Sequence, residues 1–402
     1  MEKVKKKTLF YFILGLILLR PSLDIFSQYE FRIHQSLPYI NINTIIGGFV
    51  FWIGLIVISK NIKRISSIPL FYPISLFLGL CFASIFYSLN VFESIKEFIR
   101  ISSIFLLYFL AYISVKEKKD WFLLLKIVLI SYILPGALAI IQLIFNLGLP
   151  DDFAGFSRIY GTFAHPNPFS FYTFFILGLV ICMALIKKEQ LNYLFSKNPY
   201  ILFGFGLTFL LLATYSRSAL ACLFIFLLFF GVFRYRKLLL LGLAVFLGMY
   251  LFSDVFQQRI LELITLDPYG SIIWRLRFWK DMLPISFWQP WFGYGLGAFN
   301  SLAEFYRGFE WGSLDAHNDY LKIFVENGIT GLITYFWLII GLMVYLIKIF
   351  KQSVGQDKIF ALGLLAISLS LFIASFFDNV LRTTALQWNL WILLAGWLKV
   401  KK

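Results

Sequence analysis

Long apolar runs separated by short polar connections dominate this sequence and restrict the folds open to it. A helix needs about 20 apolar residues to cross a hydrocarbon core of about 30 Å. Twelve runs meet or approach that length: 8–26, 43–59, 68–89, 97–115, 121–147, 168–186, 199–214, 217–233, 237–252, 318–347, 358–377 and 385–398. No internal repeat or low-complexity linker divides them. We therefore expect one all-α, polytopic integral membrane domain over residues 1–402.

The composition supports the same class of protein. Of the 402 residues, 60% are hydrophobic and only 14% are charged, whereas soluble domains carry about 25% charged residues. The net charge of +15 comes from Lys and Arg in short clumps between apolar runs, which argues against nucleic-acid binding. All three cysteines lie inside apolar runs, so we expect no disulfide framework.

The basic clumps fall at every second connection of the twelve-span arrangement. By the positive-inside rule these connections face the cytoplasm, together with both termini. The clumps are Lys3/Lys5/Lys6/Lys7, Lys60/Lys63/Arg64, Lys116/Lys118/Lys119, Lys187/Lys188/Lys197, Arg234/Arg236/Lys237, Lys348/Lys351/Lys358 and Lys399/Lys401/Lys402. The first span follows a basic N-terminus without a small-residue cleavage site, so we interpret it as an uncleaved helix.

Residues 200–233 form either one long helix or a hairpin. A single helix would be roughly 50 Å long at about 1.5 Å per residue, which exceeds the thickness of the core. It would also leave one basic clump outside. A hairpin broken at Thr214–Ser218 keeps both clumps inside and places Arg217 on the outward face.

The outward face has a defined inventory. Its largest part is the segment of about residues 253–316, between the ninth and tenth spans. Within it, residues 272–287 alternate cations with large aromatics, as expected of a helix lying in the membrane interface. Three glycines then predict a turn that can bring backbone close to a ligand: Gly293, Gly295 and Gly297. The face also holds all three histidines: His34, His165 and His317.

The strongest chemical signal is the stretch around His317. This histidine lies just before a long apolar run and next to the hydrogen-bonding side chains of Asp315, Asn318, Asp319 and Tyr320. A histidine with a pKa near neutrality can take a proton from an attacking hydroxyl. We therefore expect His317 to be a catalytic residue at the rim of a membrane helix.

Two arginines on the same face, Arg217 and Arg275, supply fork-shaped donors suited to phosphate oxygens. Together with the histidine and a lipid-facing wall, they predict group transfer from a polyprenyl diphosphate. Stabilisation of the diphosphate leaving group would then be the largest catalytic contribution. No Asp-x-Asp pair or His/Cys ligand spacing is present, so we expect no metal site.

The chain resembles the O-antigen ligase and polymerase superfamily of bacterial envelope glycosyltransferases. The pieces that carry the resemblance are YGTFAHPNPFSFY, TYSRSALA, WRLRFWKDML with PWFGYGLGAF, and DAHNDYLKIFVENGITG. The most specific is His-Asn-x-Tyr-Leu followed by Glu-x-Gly-x-x-Gly in the last piece. His165, in the first piece, is expected to line the site or to satisfy a loop carbonyl.

The resemblance implies transfer of a glycan from undecaprenyl diphosphate to an acceptor hydroxyl, without a metal or nucleotide cofactor. His317 would be the base or the group that orients the acceptor. Arg217 would hold the diphosphate, together with Arg275, which precedes Trp279 by four residues as in the family. Further candidates for diphosphate binding are Arg277 and Arg158.

The preferred acceptor is lipid A–core, which would make the chain an O-antigen ligase of lipopolysaccharide biosynthesis in the bacterial inner membrane. The motifs are shared with polymerases that join lipid-linked repeat units, and this alternative stays open. A transporter or flippase of lipid-linked sugars is a third possibility. It would call for charged residues near span midpoints and paired repeats, whereas the ionisable residues here gather on one side.

The site residues also have purely structural interpretations. His317, with Asp315 and Asn318, could cap the start of a helix. Arg217 could fix a tight turn, and Arg275 could anchor an interfacial helix to anionic lipid.

Overall fold

Fifteen α-helices account for nearly all the regular structure in the computed structural model, which describes residues 2–31, 39–151, 156–186, 197–252, 254, 257–258, 261, 270–309 and 312–401. They are α1 (Glu2–Leu23), α2 (Ile42–Ile65), α3 (Phe71–Ser84), α4 (Val91–Ser114), α5 (Lys118–Ile130), α6 (Ile133–Ile144), α7 (Pro166–Leu185), α8 (Lys197–Ala213), α9 (Arg217–Phe233), α10 (Arg236–Phe252), α11 (Ser271–Ser286), α12 (Phe299–Tyr306), α13 (Asp319–Gln352), α14 (Gly355–Ala374) and α15 (Thr384–Val400). Two short strands, β1 (Leu149–Asp151) and β2 (Phe156–Arg158), form an antiparallel pair.

Within these described residues, seven helical segments are long and apolar enough to cross a membrane. They are Lys7–Phe26, Ile42–Ile65, Val91–Ser114, Lys118–Ile144, Pro166–Leu185, Asp319–Gln352 and Gly355–Ala374. Shorter apolar helices include α3, α8 and α9. The protein is therefore an all-α membrane protein, as the sequence predicts. His34 and the basic pair Lys187/Lys188 fall outside the described residues.

The hairpin predicted at Thr214–Ser218 is confirmed, because α8 ends at Ala213 and α9 begins at Arg217. The span expected at 121–147 is present as Lys118–Ile144, and within it the helix is interrupted at Ser131 and Tyr132, between α5 and α6. The helix expected at 272–287 is present as α11.

The centre of the bundle is the pair α4 and α15, which are buried along most of their lengths. A membrane interior offers no water to polar groups, so buried N–H groups must pair within the protein. The indole N–H of Trp388 accordingly donates to Ser103 Oγ at 3.0 Å, and that of Trp121 donates to the carbonyl of Leu393 at 3.0 Å. These bonds fix the rotation of α15 against α4 and α5.

A kink at Gly328 divides α13 into a short first part and a long second part, because Gly328 has φ +64°. Backbone groups released by the kink pair with the loop that follows α11. The N–H groups of Tyr294 and Gly295 donate to the carbonyls of Val325 and Glu326 at 3.0 and 2.9 Å. This loop therefore completes the hydrogen bonding of the broken helix.

The sequence predicted that the glycines of this loop approach a ligand, but two of them approach the protein's own backbone. Gly293 has φ +69°, and a Cβ there would lie 2.5 Å from the carbonyl oxygen of Val325. Gly295 has φ +92°, and its Cβ would lie 2.4 Å from Cα of Ser88. Both positions need glycine because the loop packs directly on the protein's own backbone.

The buried face of α11 packs against α12 and the first part of α13. Trp274, Phe278 and Met282 lie on this face and form a small apolar core with Phe299 and Val325. The aromatic residues of α11 thus serve, in part, to hold this helix against the region that carries His317.

Candidate functional site

Asp378, in the turn between α14 and α15, is the centre of the site. Its side chain is only 5% exposed. One carboxylate oxygen lies 3.3 Å from Nδ1 of His317 and accepts the N–H of Asn379 at 2.9 Å. The other accepts Nδ2 of Asn167 at 2.9 Å and lies 3.9 Å from a terminal nitrogen of Arg275. One acid therefore joins an imidazole, an amide and a guanidinium.

The environment keeps the Asp378 carboxyl ionised. Burial acts to raise its pKa, but the hydrogen bond from His317 and the charge of Arg275 outweigh burial, so the pKa lies below its usual value. An ionised carboxylate can only accept hydrogen bonds. The proton of neutral His317 therefore sits on Nδ1, which leaves Nε2 as the acceptor available for proton transfer.

His317 is held in an uncommon backbone conformation. Its φ of +45° is in the left-handed region, which costs a residue with a Cβ on the order of 1–3 kcal/mol. The next residue, Asn318, caps α13 by accepting the N–H of Leu321 at 3.0 Å. The capping role thus belongs to Asn318, and His317 turns toward Asp378. The imidazole also packs edge-on against Trp274, with ring centroids 5.5 Å apart.

One face of α11 links three parts of the site, because residues four apart lie on the same side of a helix. Ser271, at the start of this face, accepts a hydrogen bond of 2.5 Å from a terminal nitrogen of Arg217. Arg275 follows one turn later and faces the carboxylate described above. Trp279, one turn further, donates to the carbonyl of Ala316 at 2.8 Å. Arg217 is thereby bonded to the residue that lies one helical turn before Arg275.

Arg275 retains unused donors. The closest nitrogen–oxygen distance to Asp378 is 3.9 Å, which is too long for a direct hydrogen bond. Its Nε is buried and has no hydrogen-bond partner among the described residues. A guanidinium in this state is electrostatically anchored and can still form a bidentate pair with an anion.

Arg158 contacts two residues next to the site, Asn167 and Thr214. A terminal nitrogen donates to Oδ1 of Asn167 at 3.0 Å, and Nε donates to the carbonyl of Thr214 at 2.9 Å. Asn167 in turn binds Asp378, while Thr214 belongs to the turn that carries Arg217. His317 and Arg275 thus face Asp378 directly, and Arg158 is linked to this carboxylate through Asn167.

Part of this region also matches a known protein family. Residues 201–336 match the O-antigen ligase family. This part of the chain is therefore similar to the O-antigen ligase family. The matched segment runs from α8 into α13 and includes Arg217, Arg275 and His317. Comparison with curated protein sequences gives no match.

His165 has a structural role at the start of α7. It precedes α7 and caps it, because Nδ1 accepts the N–H of Asn167 at 3.2 Å. Partial removal of the ring from solvent and the positive charge of Arg158 lower the pKa of His165 to about 4, with Asp378 opposing them. The ring is therefore neutral at physiological pH, and its exposed edge borders the site.

Three other predicted site residues are used differently. The side chain of Arg277 is exposed, and two residues of separation on a helix direct it away from Arg275. Tyr320 is 6% exposed and donates to the carbonyl of Phe372 at 2.7 Å, so it ties α13 to α14. Asp315 forms an ion pair with Arg382.

Sequence reasoning missed Asp378 and Asn167, although both carried a signal. Asp378 is the one acid in the outward connection predicted after the eleventh span. Asn167 lies two residues after His165 in the Ala-His-Pro-Asn-Pro motif. Neither position indicates by itself that the two side chains meet.

A buried clamp holds the turn that carries Asp378. Asp319 accepts the N–H of Leu381 at 2.8 Å and donates its own N–H to the carbonyl of Ser375 at 2.8 Å. Arg100 donates to the carbonyl of Leu381 at 3.0 Å. Because Asp319 is two residues from His317, the clamp sets the distance between the histidine and its carboxylate partner. This role for Asp319 was not expected from the sequence.

Across the part of the chain that the structure describes, no group of three or more His, Cys, Asp or Glu side chains could hold a metal ion.

Proposed function

We propose that this O-antigen ligase-like protein transfers a glycan from undecaprenyl diphosphate to an acceptor hydroxyl at the outer face of the bacterial cytoplasmic membrane. The observation that carries the proposal is the convergence of His317 and Arg275 on the ionised Asp378. Arg217 is bonded to Ser271, which lies one helical turn before Arg275 on α11. This combination provides a proton acceptor beside donors for a diphosphate.

The chemistry follows from these positions. Nε2 of His317 accepts the proton of the acceptor hydroxyl as its oxygen attacks the anomeric carbon of the glycan. The bond from that carbon to the diphosphate oxygen breaks, and the lipid diphosphate leaves with the electron pair. Arg217 and Arg275 stabilise the negative charge of the leaving group. Asp378 stabilises the imidazolium that forms on His317.

An apolar groove beside Arg217 suits the lipid part of such a donor. It lies between α7, α8, α9 and α10 and has a volume of about 310 Å³. Leu220, which lines it, is three residues after Arg217 and so lies about one helical turn away. Tyr200 and Leu238 line it further along the bundle. A prenyl chain in this groove would leave its diphosphate next to the guanidinium groups.

For the acceptor we favour lipid A–core, which makes the protein an O-antigen ligase of lipopolysaccharide biosynthesis. A direct test combines purified protein, a glycan on undecaprenyl diphosphate and lipid A–core. The ligase reaction produces a glycan linked to lipid A. If the product is instead a lengthened glycan still on the donor, the protein is a polymerase that joins repeat units.

Alanine variants test the residue assignments in the same assay. We expect His317→Ala and Arg217→Ala each to lower the transfer rate by about 100-fold or more, in the range of general acid–base and electrostatic contributions. Arg277→Ala is the matched control, since it removes an exposed arginine from α11, and its rate should stay within about twofold of wild type. Unfolding temperatures show whether each variant is folded. Wild-type rates in both folded test variants would refute the assignments.

A further inference from the structure

A second cavity lies at the opposite end of the bundle from Asp378. It borders the end of α13 near Lys348, whereas α13 begins beside His317. Twenty residues separate Gly328 from Lys348, which corresponds to about 30 Å of helix and so to one hydrocarbon thickness. The cavity has a volume of about 580 Å³ and opens between α13, α15 and the loop before α3.

The walls of the cavity divide into an apolar and a polar half. Leu70, Trp337 and Leu398 supply apolar surface. The polar surface includes two cations and several neutral side chains: Lys348, Lys401, Ser66, Ser67 and Gln352. A purely polar ligand would leave the apolar half of the wall in contact with water, and a hydrocarbon would leave the polar half without hydrogen-bonding partners.

The charge around the cavity is positive. Lys401 pairs with Asp357, but that carboxylate is shared with Lys118, whose Nζ lies 2.6 Å away. Lys348 is exposed and forms no ion pair with any described residue. Asp357 thus pairs with two ammonium groups, and Lys348 is available to an anion.

The cavity is shaped by fixed backbone. Leu70 has φ +65°, an uncommon conformation for a residue with a branched side chain. The preceding carbonyl, of Pro69, accepts a hydrogen bond of 2.7 Å from the buried Tyr108 hydroxyl. Gly341 forms part of the opposite wall, and a Cβ there would lie 3.1 Å from the side chain of Leu70. The volume of the cavity therefore depends on the hydrogen-bonded loop before α3 and on the absence of a side chain at Gly341.

We propose that this cavity binds one anionic glycerophospholipid. Its phosphate contacts Lys348 and Lys401, and one acyl chain lies against Leu70 and Trp337. The two halves of such a lipid match the two halves of the wall, and basic pockets between membrane helices are known to favour anionic head groups. The site is separate from the proposed transfer reaction and does not depend on it.

Native mass spectrometry of the purified protein tests the proposal by counting retained lipids. We expect the wild type to retain one phosphatidylglycerol at concentrations where phosphatidylethanolamine with the same chains is lost. Lys348→Gln should weaken phosphatidylglycerol binding by about fivefold, the effect of one lysine near an anionic head group. Lys351→Gln is the control, because Lys351 is also exposed on α13 but does not line the cavity.

Two further arms test the apolar half and the nature of the ligand. Gly341→Leu keeps both lysines and fills the wall, so it should also weaken phosphatidylglycerol binding. Inorganic phosphate should not displace the lipid. Equal binding by the Lys348 and Lys351 variants, equal retention of both lipids, or displacement by inorganic phosphate would each overturn the proposal.

Discussion

Replacing Asp378 with asparagine removes the charge at the centre of the site and keeps nearly the same shape. The carboxylate lies 3.3 Å from Nδ1 of His317 and 3.9 Å from Arg275. A hydrogen bond to a charged group contributes about 1.5–3 kcal/mol, and about 1.36 kcal/mol corresponds to a tenfold change in rate. Loss of the charge on the histidine side alone should therefore slow transfer by about 10- to 150-fold.

The carboxylate also stabilises Arg275. At 3.9 Å and an effective dielectric constant of about 20, the attraction between the two charges is about 4 kcal/mol. This value is an upper limit for the variant, because water and the diphosphate itself can take over part of the pairing. We expect the larger effect on kcat, since the imidazolium forms only during the reaction.

The assay is transfer to lipid A–core at saturating donor, with kcat and KM measured separately. Asp315→Asn is the matched control, because it removes an acid near the same loop that pairs with Arg382 and not with His317. Its rate should stay within about threefold of wild type, as expected for a partly exposed ion pair. A folded Asp378→Asn protein with the wild-type kcat would refute the role given to this carboxylate.

Three further predictions concern stability and positioning. Folding lowers the pKa of Asp378, so its contribution to stability is present above about pH 3.9 and is lost as the pH falls through its folded-state pKa. The unfolding temperature of Asp378→Asn should therefore depend less on acid pH than that of wild type. Gly328→Ala should lower the unfolding temperature, because φ is +64° and the new Cβ would lie 2.4 Å from backbone atoms. Gly248→Ala is the control and should leave the unfolding temperature unchanged, because the space around its Cβ is open. Asp319→Ala should lower the free energy of unfolding by about 1–3 kcal/mol, because it leaves the N–H of Leu381 unpaired, and it should also slow transfer. Asp319→Asn should restore both the unfolding temperature and the rate, because its amide oxygen can accept that hydrogen bond.

The seven spanning-length segments found in the described residues and the α8–α9 break were predictable from the length of the apolar runs. The break between α5 and α6 was missed, although Pro135 signals it. Proline has no N–H to donate to the carbonyl four residues earlier, which here belongs to Ser131. The kink of α13 at Gly328 was missed because its hydrogen bonds are completed by a loop that precedes it in the sequence.

The site was predictable in residue type but not in connectivity. The sequence indicates His317, Arg217 and Arg275 because a histidine and arginines at a membrane rim are costly and usually functional. It cannot show that Asp378, 61 residues after His317, becomes the partner. The sequence analysis placed Tyr320 in the site because it is three residues from His317. In the structure its side chain faces α14.

The position of Asp378 in the chain has a consequence for biosynthesis. His317 and the arginines leave the ribosome before the turn between α14 and α15 does, so an intermediate assembled only as far as α13 holds a histidine without its counter-ion. Insertion of the final helical hairpin, with Trp388 docking on α4, supplies that charge. In the proposed mechanism, His317 therefore acquires its counter-ion only when the last pair of helices has entered the bilayer.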